Sequence, residues 1–381
     1  MRILLVGEYS RLHNSLKEGL EQHGHEVVLI GTGDGFKNFP SDISIKLSIF
    51  SKPLFKTIAK IFDKLLNIQL IELEYYYKLK KVIENLKGFD VVQLINEQSL
   101  KTPPKHEIKL ISQIINQNRK VFLLSCGTDY TSIKYALDKK FKYSILTPYF
   151  EDKSLKKYYR FILKYVTPSY KNLHEFLMTH VKGVIASDMD YHIPLKDHPK
   201  YLGLIPNPVN TDIIQYQPFD ISSKIVIFHG INRMNYIKKG NQFFEEALSI
   251  IKEKYSNKVE IITAENLPYK DYIRAFDNCH IMLDQVYAYD QGYNALEAMA
   301  KGKVVFTGAE QEWLDYYNLE EDMVAINALP NVIQIASKLE WLINNPDKLM
   351  EISKNARAFI EKEHHYISVS KIYMQKWIAS K

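Results

Sequence analysis

Short apolar runs and amphipathic stretches alternate along most of the chain. Residues 2–7 ("RILLVG") form the first run, and a stretch with apolar residues at helical spacing follows it to about His23. Further runs of the first half that read as strands are "HEVVLIG", "FDVVQLIN", "KVFLLSCGTD" and "KGVIASD". Strands of this apolar kind that alternate with helices are typical of βαβ units around a parallel sheet.

This pattern stops near residue 208 and then begins again. Residues 203–219 are dense in Pro and Asn, a composition that predicts a linker. Beyond it the predicted elements are, in order, "KIVIFHG", "NQFFEEALSIIKEKY", "KVEIIT", "YKDYIRAFDN", "HIMLDQ", an alanine-rich helix and "KVVFTG". The chain is therefore expected to have an α/β fold made of two doubly wound Rossmann-like halves.

Length and cysteine content agree with an intracellular protein of two domains. A chain of 381 residues is long for one hydrophobic core. Cys126 and Cys279 are the two cysteines, so a disulfide framework is not expected and a reducing compartment fits. The first apolar run is too short for a signal peptide, and no run approaches the roughly 20 residues that span a bilayer. We expect a cytoplasmic location.

Charge is distributed unequally between the two halves. Residues 1–205 carry a formal net charge of +10 and the remainder carries −4. Such asymmetry suggests that the first half meets an anionic surface or partner. Nucleic acid is not the predicted partner, because the sequence has neither Cys/His finger spacing nor an aromatic RNA-binding motif.

Residues 46–66 combine an apolar helical face with a basic stripe. The apolar positions are Leu47, Phe50, Leu54, Ile58, Ile61 and Leu65, and the stripe consists of Lys52, Lys56, Lys60 and Lys64. Pro53 suits the first turn of a helix. Two readings remain open: a helix that packs on the first domain with its lysines in water, or an interfacial helix on an anionic leaflet.

Several motifs resemble known sites only superficially. "GTGDG" (31–35) follows the second strand and opens no helix, so a loop is expected instead of a phosphate site. Asp188 and Asp190 ("SDMD") read as a solvated turn at the end of a strand. The pair His364–His365 has no i, i+4 partner for zinc. The sequence contains no Walker loop and no Gly-x-Ser-x-Gly elbow, and no metal site is expected.

A cationic loop follows the first strand of the second half. "FHGINRMNYIKKGNQFF" places Arg233, Lys238 and Lys239 between that strand and a helix, with Gly240 breaking the loop. Ligands of βαβ folds bind outside the carboxyl ends of the strands. Cations and helix N-terminal amides at such a place suit a diphosphate. An exposed basic loop is the alternative for this segment taken alone.

The stretch "YDQGYNALEAMAKGKVV" (289–305) predicts a second part of the same site. Gly292 to Asn294 would form the entry to a helix and offer free backbone N–H groups. Glu297, in or near the first turn, can accept two hydrogen bonds from a ribose diol. A glutamate that merely complements the helix dipole would not explain the cationic loop at the equivalent strand end. Together the two segments favour a nucleotide-diphosphate site.

The same stretch resembles the signature of retaining glycosyltransferases of the GT-B fold, especially family 4. That signature has two glutamates separated by seven residues, an internal glycine, and Glu-Ala-Met-Ala-x-Gly at its end. Glu297 matches the second glutamate and Gly292 the internal glycine. The first glutamate, which contacts donor-sugar hydroxyls in the family, falls on Tyr289, with Asp290 one place later.

The resemblance extends over most of the chain and implies an architecture. "INRMNYIKKG" is similar to the family's Gly-Arg-…-Lys-Gly segment, and "LIPNPVNTDII" and the closing helices also resemble family segments. The implied fold is GT-B, with two doubly wound Rossmann-like domains facing a central cleft. The implied units are an acceptor-side domain (1–205), a nucleotide-sugar-binding domain (206–362) and a C-terminal helix that crosses back to the first domain (363–381).

The resemblance also implies roles for individual residues. Arg233 and Lys239 would stabilise the departing diphosphate, and Lys238 is an alternate ligand. Gly7, at the end of the first strand, would allow close approach of the donor phosphates or acceptor. Asp129 is the first-domain candidate for a contact with donor or acceptor sugar. The donor-binding residues implied on the other side are Tyr289, Asp290, Gly292, Tyr293, Asn294 and Glu297.

The implied activity is that of a retaining, metal-independent, hexosyltransferase-like enzyme of cell-surface polysaccharide or glycoconjugate synthesis. Its donor would be a UDP- or GDP-linked sugar, its acceptor a glycan or a lipid-linked molecule, and no cofactor would be bound permanently. Peripheral association with the inner membrane face through residues 46–66 is a further expectation. Two other hypotheses stay open: a GT-B nucleotide-sugar epimerase, and a catalytically silent GT-B partner subunit.

Overall fold

The computed structural model describes residues 1–33, 39–66, 68–218, 221, 223–265 and 269–380. Asp34 and Gly35 of the "GTGDG" stretch lie outside the described residues, as does Phe219 at the end of the predicted linker. The described residues form two parallel β-sheets that are flanked by helices.

The first sheet contains seven parallel strands in the order β3-β2-β1-β4-β5-β6-β7. Their bounds are β1 Arg2–Val6, β2 Glu26–Gly31, β3 Ile43–Ser44, β4 Val91–Leu94, β5 Lys120–Ser125, β6 Gly183–Ala186 and β7 Tyr201–Leu204. The five strands that the apolar runs predicted are all present. The short edge strands β3 and β7 were not predicted, because neither has a long apolar run.

Nine helices are described in the first half: α1 Leu12–Gln22, α2 Pro53–Leu66, α3 Leu70–Ile83, α4 Pro104–Gln117, α5 Tyr130–Leu137, α6 Thr147–Glu151, α7 Arg160–Leu163, α8 Pro168–His180 and α9 Met189–Leu195. Pro53 starts α2, as its preference for a first turn predicts. The predicted helical face is wrong at its beginning, however, since Leu47 and Phe50 precede the helix. Proline fits the first turn of a helix but destabilises a helix interior, so α2 cannot readily extend back through Pro53 to these residues.

The second sheet contains five parallel strands in the order β12-β11-β10-β8-β9. They are β8 Ile225–Ile231, β9 Val259–Glu265, β10 Ile281–Leu283, β11 Val304–Thr307 and β12 Ile326–Asn327. The remaining helices are α10 Tyr236–Lys239, α11 Asn241–Tyr255, α12 Tyr269–Asp277, α13 Tyr293–Ala300, α14 Gln311–Tyr317, α15 Val332–Asn344, α16 Pro346–Glu363 and α17 Tyr366–Ala379.

Both faces of each sheet are covered by helices, which explains the continuous apolar runs of the strands. In β1, Leu4 and Val6 belong to one hydrophobic cluster, and Ile3 and Leu5 belong to the cluster on the opposite face. All four side chains are fully buried. Alternation with a period of two residues places successive side chains on opposite faces of a strand.

The last helix, α17, packs against the first sheet and α1. Trp377 is buried there, and its Nε1 donates a hydrogen bond to Oε1 of Gln93 at 3.0 Å. Helix α1 approaches so closely that a Cβ added at Gly19 would lie 2.4 Å from the backbone oxygen of Tyr366. The domain limits at residues 205 and 362 stay a prediction.

Candidate active site

A cleft of about 300 Å³ lies where the carboxyl edges of the two sheets face each other. Segments that follow β1, β5 and β6 line it from the first sheet, and segments that follow β8 and β10 line it from the second. The contributing residues include Tyr9, Ser10, Cys126, Gly127, Asp188, Asp190, Asn207, Lys238, Lys239, Gln285, Asp290, Gln291, Gly292 and Tyr293. Strand ends meet at one edge because all strands of a parallel sheet point the same way.

Two lysines supply the positive charge of the cleft. Lys238 and Lys239 lie at the end of the short helix α10, and Gly240 ends that helix with a positive φ of 69°. The Nζ of Lys239 is 2.8 Å from Oδ1 of Asp284, a carboxylate whose side chain is only 2% exposed. Burial, and then the charge of Lys239, lower the pKa of Lys238 to about 8. A bound anion would therefore be favourable for both ammonium groups.

Arg233, which the sequence grouped with these lysines, does not line the cleft. Its guanidinium makes two hydrogen bonds to Glu265, of 2.7 and 2.6 Å, and both side chains are roughly half exposed. Glu265 ends β9, the strand beside β8, so the partner comes from the neighbouring strand end. The structure therefore brings Lys238 and Lys239 together in the cleft and leaves Arg233 outside it.

The start of α13 lines the same cleft as the two lysines. Gly292 is the N-cap, with φ −72°, and a Cβ added there would come no closer than 3.7 Å to any neighbouring side chain. Neither backbone conformation nor packing thus requires a glycine at this position. Tyr293 opens the helix, and its hydroxyl lies 2.9 Å from the oxygen of Pro208 and 2.8 Å from Oγ of Ser15.

Of the two residues in the place of the family's first glutamate, Asp290 lines the cleft and Tyr289 does not. The Tyr289 hydroxyl accepts a hydrogen bond from the backbone N–H of Lys142 at 2.7 Å, and its ring lies against Phe141 and Tyr143. The two adjacent side chains therefore have different surroundings: Tyr289 packs beside Phe141, and Asp290 lines the cleft. Sequence alignment alone could not separate the two.

Glu297 and Asn294 lie further along α13, outside the cleft lining. Glu297 is the fifth residue of the helix and is half-buried, so it occupies the second turn instead of the first. Burial, and then the charge of Glu297, raise the pKa of Tyr293 well above its ordinary value. Asn294 donates a hydrogen bond to the hydroxyl of Tyr272 at 3.1 Å. Tyr272 in turn packs on Gly230 near the carboxyl end of β8.

The reading of Asp188 and Asp190 as a solvated turn is wrong. The turn does follow a strand, β6, but both residues line the cleft beside Asp290. Burial, followed by the charge of Asp290, raises the pKa of Asp190 to about 7, and burial raises the pKa of Asp290 to about 7. No sequence pattern predicted that these aspartates meet, because Asp290 is about a hundred residues away along the chain.

These aspartates also link the two sheets. Met189 donates its backbone N–H to Oδ2 of Asp290 at 3.1 Å, and Tyr289 donates its own to Oδ2 of Asp190 at 3.2 Å. Asp188 caps the N-terminus of α9 by accepting from the N–H of Asp190 at 3.1 Å. Within the part of the chain that the structure describes, no group of three or more His, Cys, Asp or Glu side chains has the arrangement to hold a metal ion.

Two first-domain candidates have local structural roles instead of positions in the cleft lining. Asp129 is buried, caps the N-terminus of α5 by accepting from the N–H of Ser132 at 2.7 Å, and also bonds Ser125. Gly7 has φ 88°, and a Cβ there would lie 2.4 Å from Cγ2 of Ile95. Conformation and packing therefore explain these residues without a ligand.

Several cleft residues were missed by the sequence reasoning. Asn207 and Gln285 follow a strand each, and Gln291 stands inside the recognised stretch "YDQGY". The available signal was their position at strand ends, which is where ligands of such folds bind. Amide side chains are common in loops, so their type carried no specific information.

Comparisons with known proteins agree with this geometry. Residues 238–375 match the protein-family model described as Glycosyl transferase-like. No curated protein matches the chain in sequence. Among solved structures, sucrose-phosphate synthase from Thermosynechococcus elongatus is similar over 100% of both chains, with a TM-score of 0.61 and 14% identity.

Two further solved structures carry nucleotide ligands. HepE of Anabaena, in complex with UDP and glucose, is similar over 100% of both chains, with a TM-score of 0.58 and 12% identity. UDP-GlcNAc 2-epimerase from Neisseria meningitidis, bound to UDP-GlcNAc, covers 99% of this chain and 100% of its own, with a TM-score of 0.55 and 13% identity. The fold is GT-B, with two doubly wound domains facing a cleft, and that prediction is confirmed.

Proposed function

We propose that the protein is a glycosyltransferase that moves a sugar from a nucleoside diphosphate to a glycan or lipid-linked acceptor. The observation that carries this proposal is that Lys238, Lys239 and the N-terminus of α13 line one cleft. The match of residues 238–375 to a glycosyltransferase-like family model supports it. The solved relatives that hold UDP or UDP-glucose favour UDP over GDP in the donor.

The chemistry of the proposed reaction depends on the leaving group. Breaking the bond between sugar and diphosphate places negative charge on the phosphate oxygens, and fixed positive groups lower the free energy of that transition state. Lys238, Lys239 and the N–H groups at the start of α13 would provide them. Two ammonium groups could neutralise this charge as a divalent metal does elsewhere, so we propose metal-independent transfer. Retention of anomeric configuration is proposed only because the family resemblance implies it.

The decisive experiment follows UDP release from a panel of UDP-sugars, with and without a pool of glycan and lipid-linked acceptors. A glycosyltransferase should release UDP much faster with its acceptor, and EDTA should not abolish the reaction. UDP release that stays at background with every donor and acceptor would contradict the proposal and favour a silent partner subunit. Loss of activity in EDTA that Mg²⁺ or Mn²⁺ restores would contradict only the metal-independent part.

A nucleotide-sugar epimerase is the second candidate. Solved epimerases are similar to this chain, and Asp188, Asp190 and Asp290 give the cleft acidic groups for proton transfer. Burial, and then the charges of Asp190 and Asp290, raise the pKa of Asp188 well above its ordinary value. An epimerase would convert the donor sugar without any acceptor, so an NMR spectrum of UDP-sugars incubated with the protein alone distinguishes the two activities.

The role proposed for Glu297 can be tested without a sugar. Glu297→Gln removes the charge that would accept two hydrogen bonds from the ribose diol, and such charge-assisted bonds are worth about 1.5–3 kcal/mol. We expect weaker binding of UDP itself, measured by calorimetry, with little change in the melting temperature. An effect confined to sugar-bearing donors would show that Glu297 contacts the sugar.

Gly292→Ala tests whether this glycine is needed for ligand binding or for the stability of the fold. The added methyl carbon would come no closer than 3.7 Å to a neighbouring side-chain atom, so we expect an unchanged free energy of unfolding. The methyl would stand at the helix N-terminus where the phosphates are proposed to bind, so UDP affinity should fall about tenfold or more. Normal UDP affinity in a normally folded variant would place the diphosphate elsewhere.

We also propose that α2 holds the protein on an anionic membrane surface. Much of its apolar side is exposed: Leu54 is 69% exposed, Leu65 72% and Ile61 48%, whereas Ile58 is half-buried. Ala59 is its one buried residue among those described, and Lys52, Lys56, Lys60 and Lys64 are exposed. The exposed apolar side chains support the interfacial reading over a helix whose apolar face is covered by the first domain. Among the described helices, none has the length and apolar character that crossing a bilayer requires.

Vesicle co-sedimentation tests this surface. Each lysine near an anionic leaflet contributes about 1 kcal/mol, so replacing the four lysines by Gln should abolish most binding to anionic vesicles. The control replaces four exposed lysines of the second half, Lys252, Lys354, Lys362 and Lys371, and should bind as the wild type does. A wild type that ignores anionic vesicles at low salt would refute the proposal, and the acceptor would then need no lipid.

A further inference from the structure

Residues of the first half of the chain hold the helix that carries the cleft lysines. The hydroxyl of Tyr158, close to the start of α7, donates a hydrogen bond at 2.9 Å to the backbone oxygen of Met234, two residues before α10. Ile237 of α10 packs against a hydrophobic cluster of the first half that includes Tyr159 and Ile162. The position of α10, and with it that of the lysines, therefore depends on contacts with the other half of the chain.

Phe161 of α7 lies directly against one of these lysines. The Nζ of Lys238 is 5.3 Å from the centroid of the Phe161 ring. Phe161 is 42% exposed, and Lys238 is half-buried. The face of an aromatic ring attracts an ammonium group, and the attraction grows as water is excluded. The ring therefore restrains the ammonium group and also keeps part of its surface from water.

Lys238 differs from its neighbour in lacking a carboxylate partner. The Nζ of Lys239 is 2.8 Å from Oδ1 of Asp284. For Lys238, burial and then the charge of Lys239 lower the pKa to about 8, and no carboxylate contributes among the described residues. An ammonium group that loses hydration without gaining a counter-ion is unfavourable. Lys238 is therefore the lysine whose charge a bound anion would stabilise more.

We propose that Phe161 is a positioning residue of the donor site, whose ring holds the ammonium group of Lys238 where the diphosphate of the donor binds. This inference rests on the proposed function, since the anion is the nucleoside diphosphate. Phe161 is not among the residues that line the cleft, so it acts through Lys238. A residue of the half that was expected to serve the acceptor thereby helps to bind the donor.

Other titratable groups of the cleft also affect anion binding as the pH changes. Burial is the first cause that raises the pKa of Asp188, well above its ordinary value, and the pKa values of Asp190 and Asp290, to about 7. Ionisation of these carboxyl groups should weaken UDP binding in every variant as the pH rises. Burial also raises the pKa of Tyr158, so that hydroxyl stays neutral in this range.

The ionisation of Lys238 adds a separate effect at higher pH. A bound diphosphate raises the pKa of the ammonium group above its value of about 8 in the free protein. The affinity that Lys238 contributes is therefore fully present below about pH 8 and declines as the pH rises between the free and the bound pKa. A change at Phe161 should move this second decline, whereas it should leave the first one in place.

The test measures UDP affinity by calorimetry on the full chain from about pH 6 to 9, with Phe161→Ala and Phe161→Tyr beside the wild type. Phe161→Ala opens Lys238 to water, so the pKa of Lys238 should rise toward its ordinary value. We expect about 2- to 5-fold weaker UDP binding at about pH 7, and a difference that disappears by about pH 9. Phe161→Tyr keeps the ring and should keep the wild-type profile. A loss of affinity that is the same at every pH would show a structural role only and overturn the inference.

The matched control removes a ring from another lysine, away from the cleft. Nζ of Lys258 is 5.7 Å from the ring centroid of Tyr255, the last residue of α11. Tyr255→Ala should lower the melting temperature but keep the UDP affinity and its pH profile. If Tyr255→Ala changes the profile as Phe161→Ala does, the effect is not specific to Lys238 and the inference is wrong.

NMR titration of Lys238 without any ligand separates this inference from the proposed function. The ¹³C signals of the lysine are assigned with Lys238→Gln, and their pH dependence gives the pKa directly. If UDP binds but Phe161→Ala changes neither this pKa nor the affinity, the inference is wrong and the glycosyltransferase proposal is unaffected. If UDP does not bind but Phe161→Ala raises this pKa, the ring does hold Lys238 and the proposed donor site is wrong.

Discussion

Lys239→Ala is expected to lower kcat/KM for the nucleotide-sugar by about 10- to 150-fold, because a charge-assisted bond to phosphate contributes about 1.5–3 kcal/mol. The change should also lower the free energy of unfolding. Asp284 is 2% exposed at its side chain and 2.8 Å from Nζ of Lys239, so the variant leaves a buried carboxylate without its cation. Breaking such a pair costs about 3–5 kcal/mol when both partners are buried, and less here since Lys239 is 28% exposed.

Two further variants separate binding from stability. Lys239→Ala combined with Asp284→Asn should recover much of the lost stability but none of the lost UDP affinity, as measured by denaturant unfolding and calorimetry. Arg233→Ala removes an exposed ion pair outside the cleft lining and should have the smaller effect on both quantities. If Arg233→Ala weakens UDP binding as much as Lys239→Ala does, the ligand-bound cleft includes Arg233 and its bond to Glu265 breaks on binding.

We expect Gly308→Ala to displace the loop before α13 and thereby to lower kcat/KM. A Cβ at Gly308 would lie 2.5 Å from the oxygen of Ala288 and 2.6 Å from the backbone nitrogen and oxygen of Asp290. These backbone atoms cannot rotate away as a side chain would, so the loop that carries Asp290 and Gly292 must move. A displacement of about 1 Å near reacting groups can cost 10²-fold in rate, and overpacking costs typically about 1–3 kcal/mol of stability.

The matched control for this effect is Gly31→Ala. Gly31 ends β2, and a Cβ there would come no closer than 3.7 Å to Glu8 or Ser41. We expect wild-type activity and a melting temperature close to that of the wild type. If Gly31→Ala lowers kcat/KM more than Gly308→Ala does, the position of the loop before α13 does not depend on Gly308.

The positions of the strands explain why both lysines and aspartates line the cleft. Its lysines follow β8, whereas its aspartates follow β6 and β10 and thus belong to both sheets. Asp190 accepts a hydrogen bond from the backbone N–H of Tyr289, and Asp290 accepts one from the backbone N–H of Met189, so the two aspartates lie where the two sheets meet. Burial, and then the charge of Asp290, raise the pKa of Asp190, which shows the electrostatic cost of this arrangement.

Local patterns predicted the α/β class and some of the residues that line the cleft. Apolar runs predicted the central strands, since a strand buried on both faces must be apolar throughout. Position at strand ends, together with lysines and a glycine before a helix, predicted Lys238, Lys239 and Gly292 in one cleft, where the structure places them. Pro53 correctly predicted the start of α2.

Only the tertiary structure decided which distant groups meet. Arg233 forms an ion pair with Glu265 of the neighbouring strand, and Asp129 caps a helix. Asp190 accepts a hydrogen bond from Tyr289, the residue before Asp290 in the other domain. The exposed apolar side of α2 is likewise a property of the packed molecule. Periodicity and motif spacing report a residue's immediate surroundings along the chain, whereas charge pairing and burial depend on strand order and domain closure, which bring together segments about a hundred residues apart.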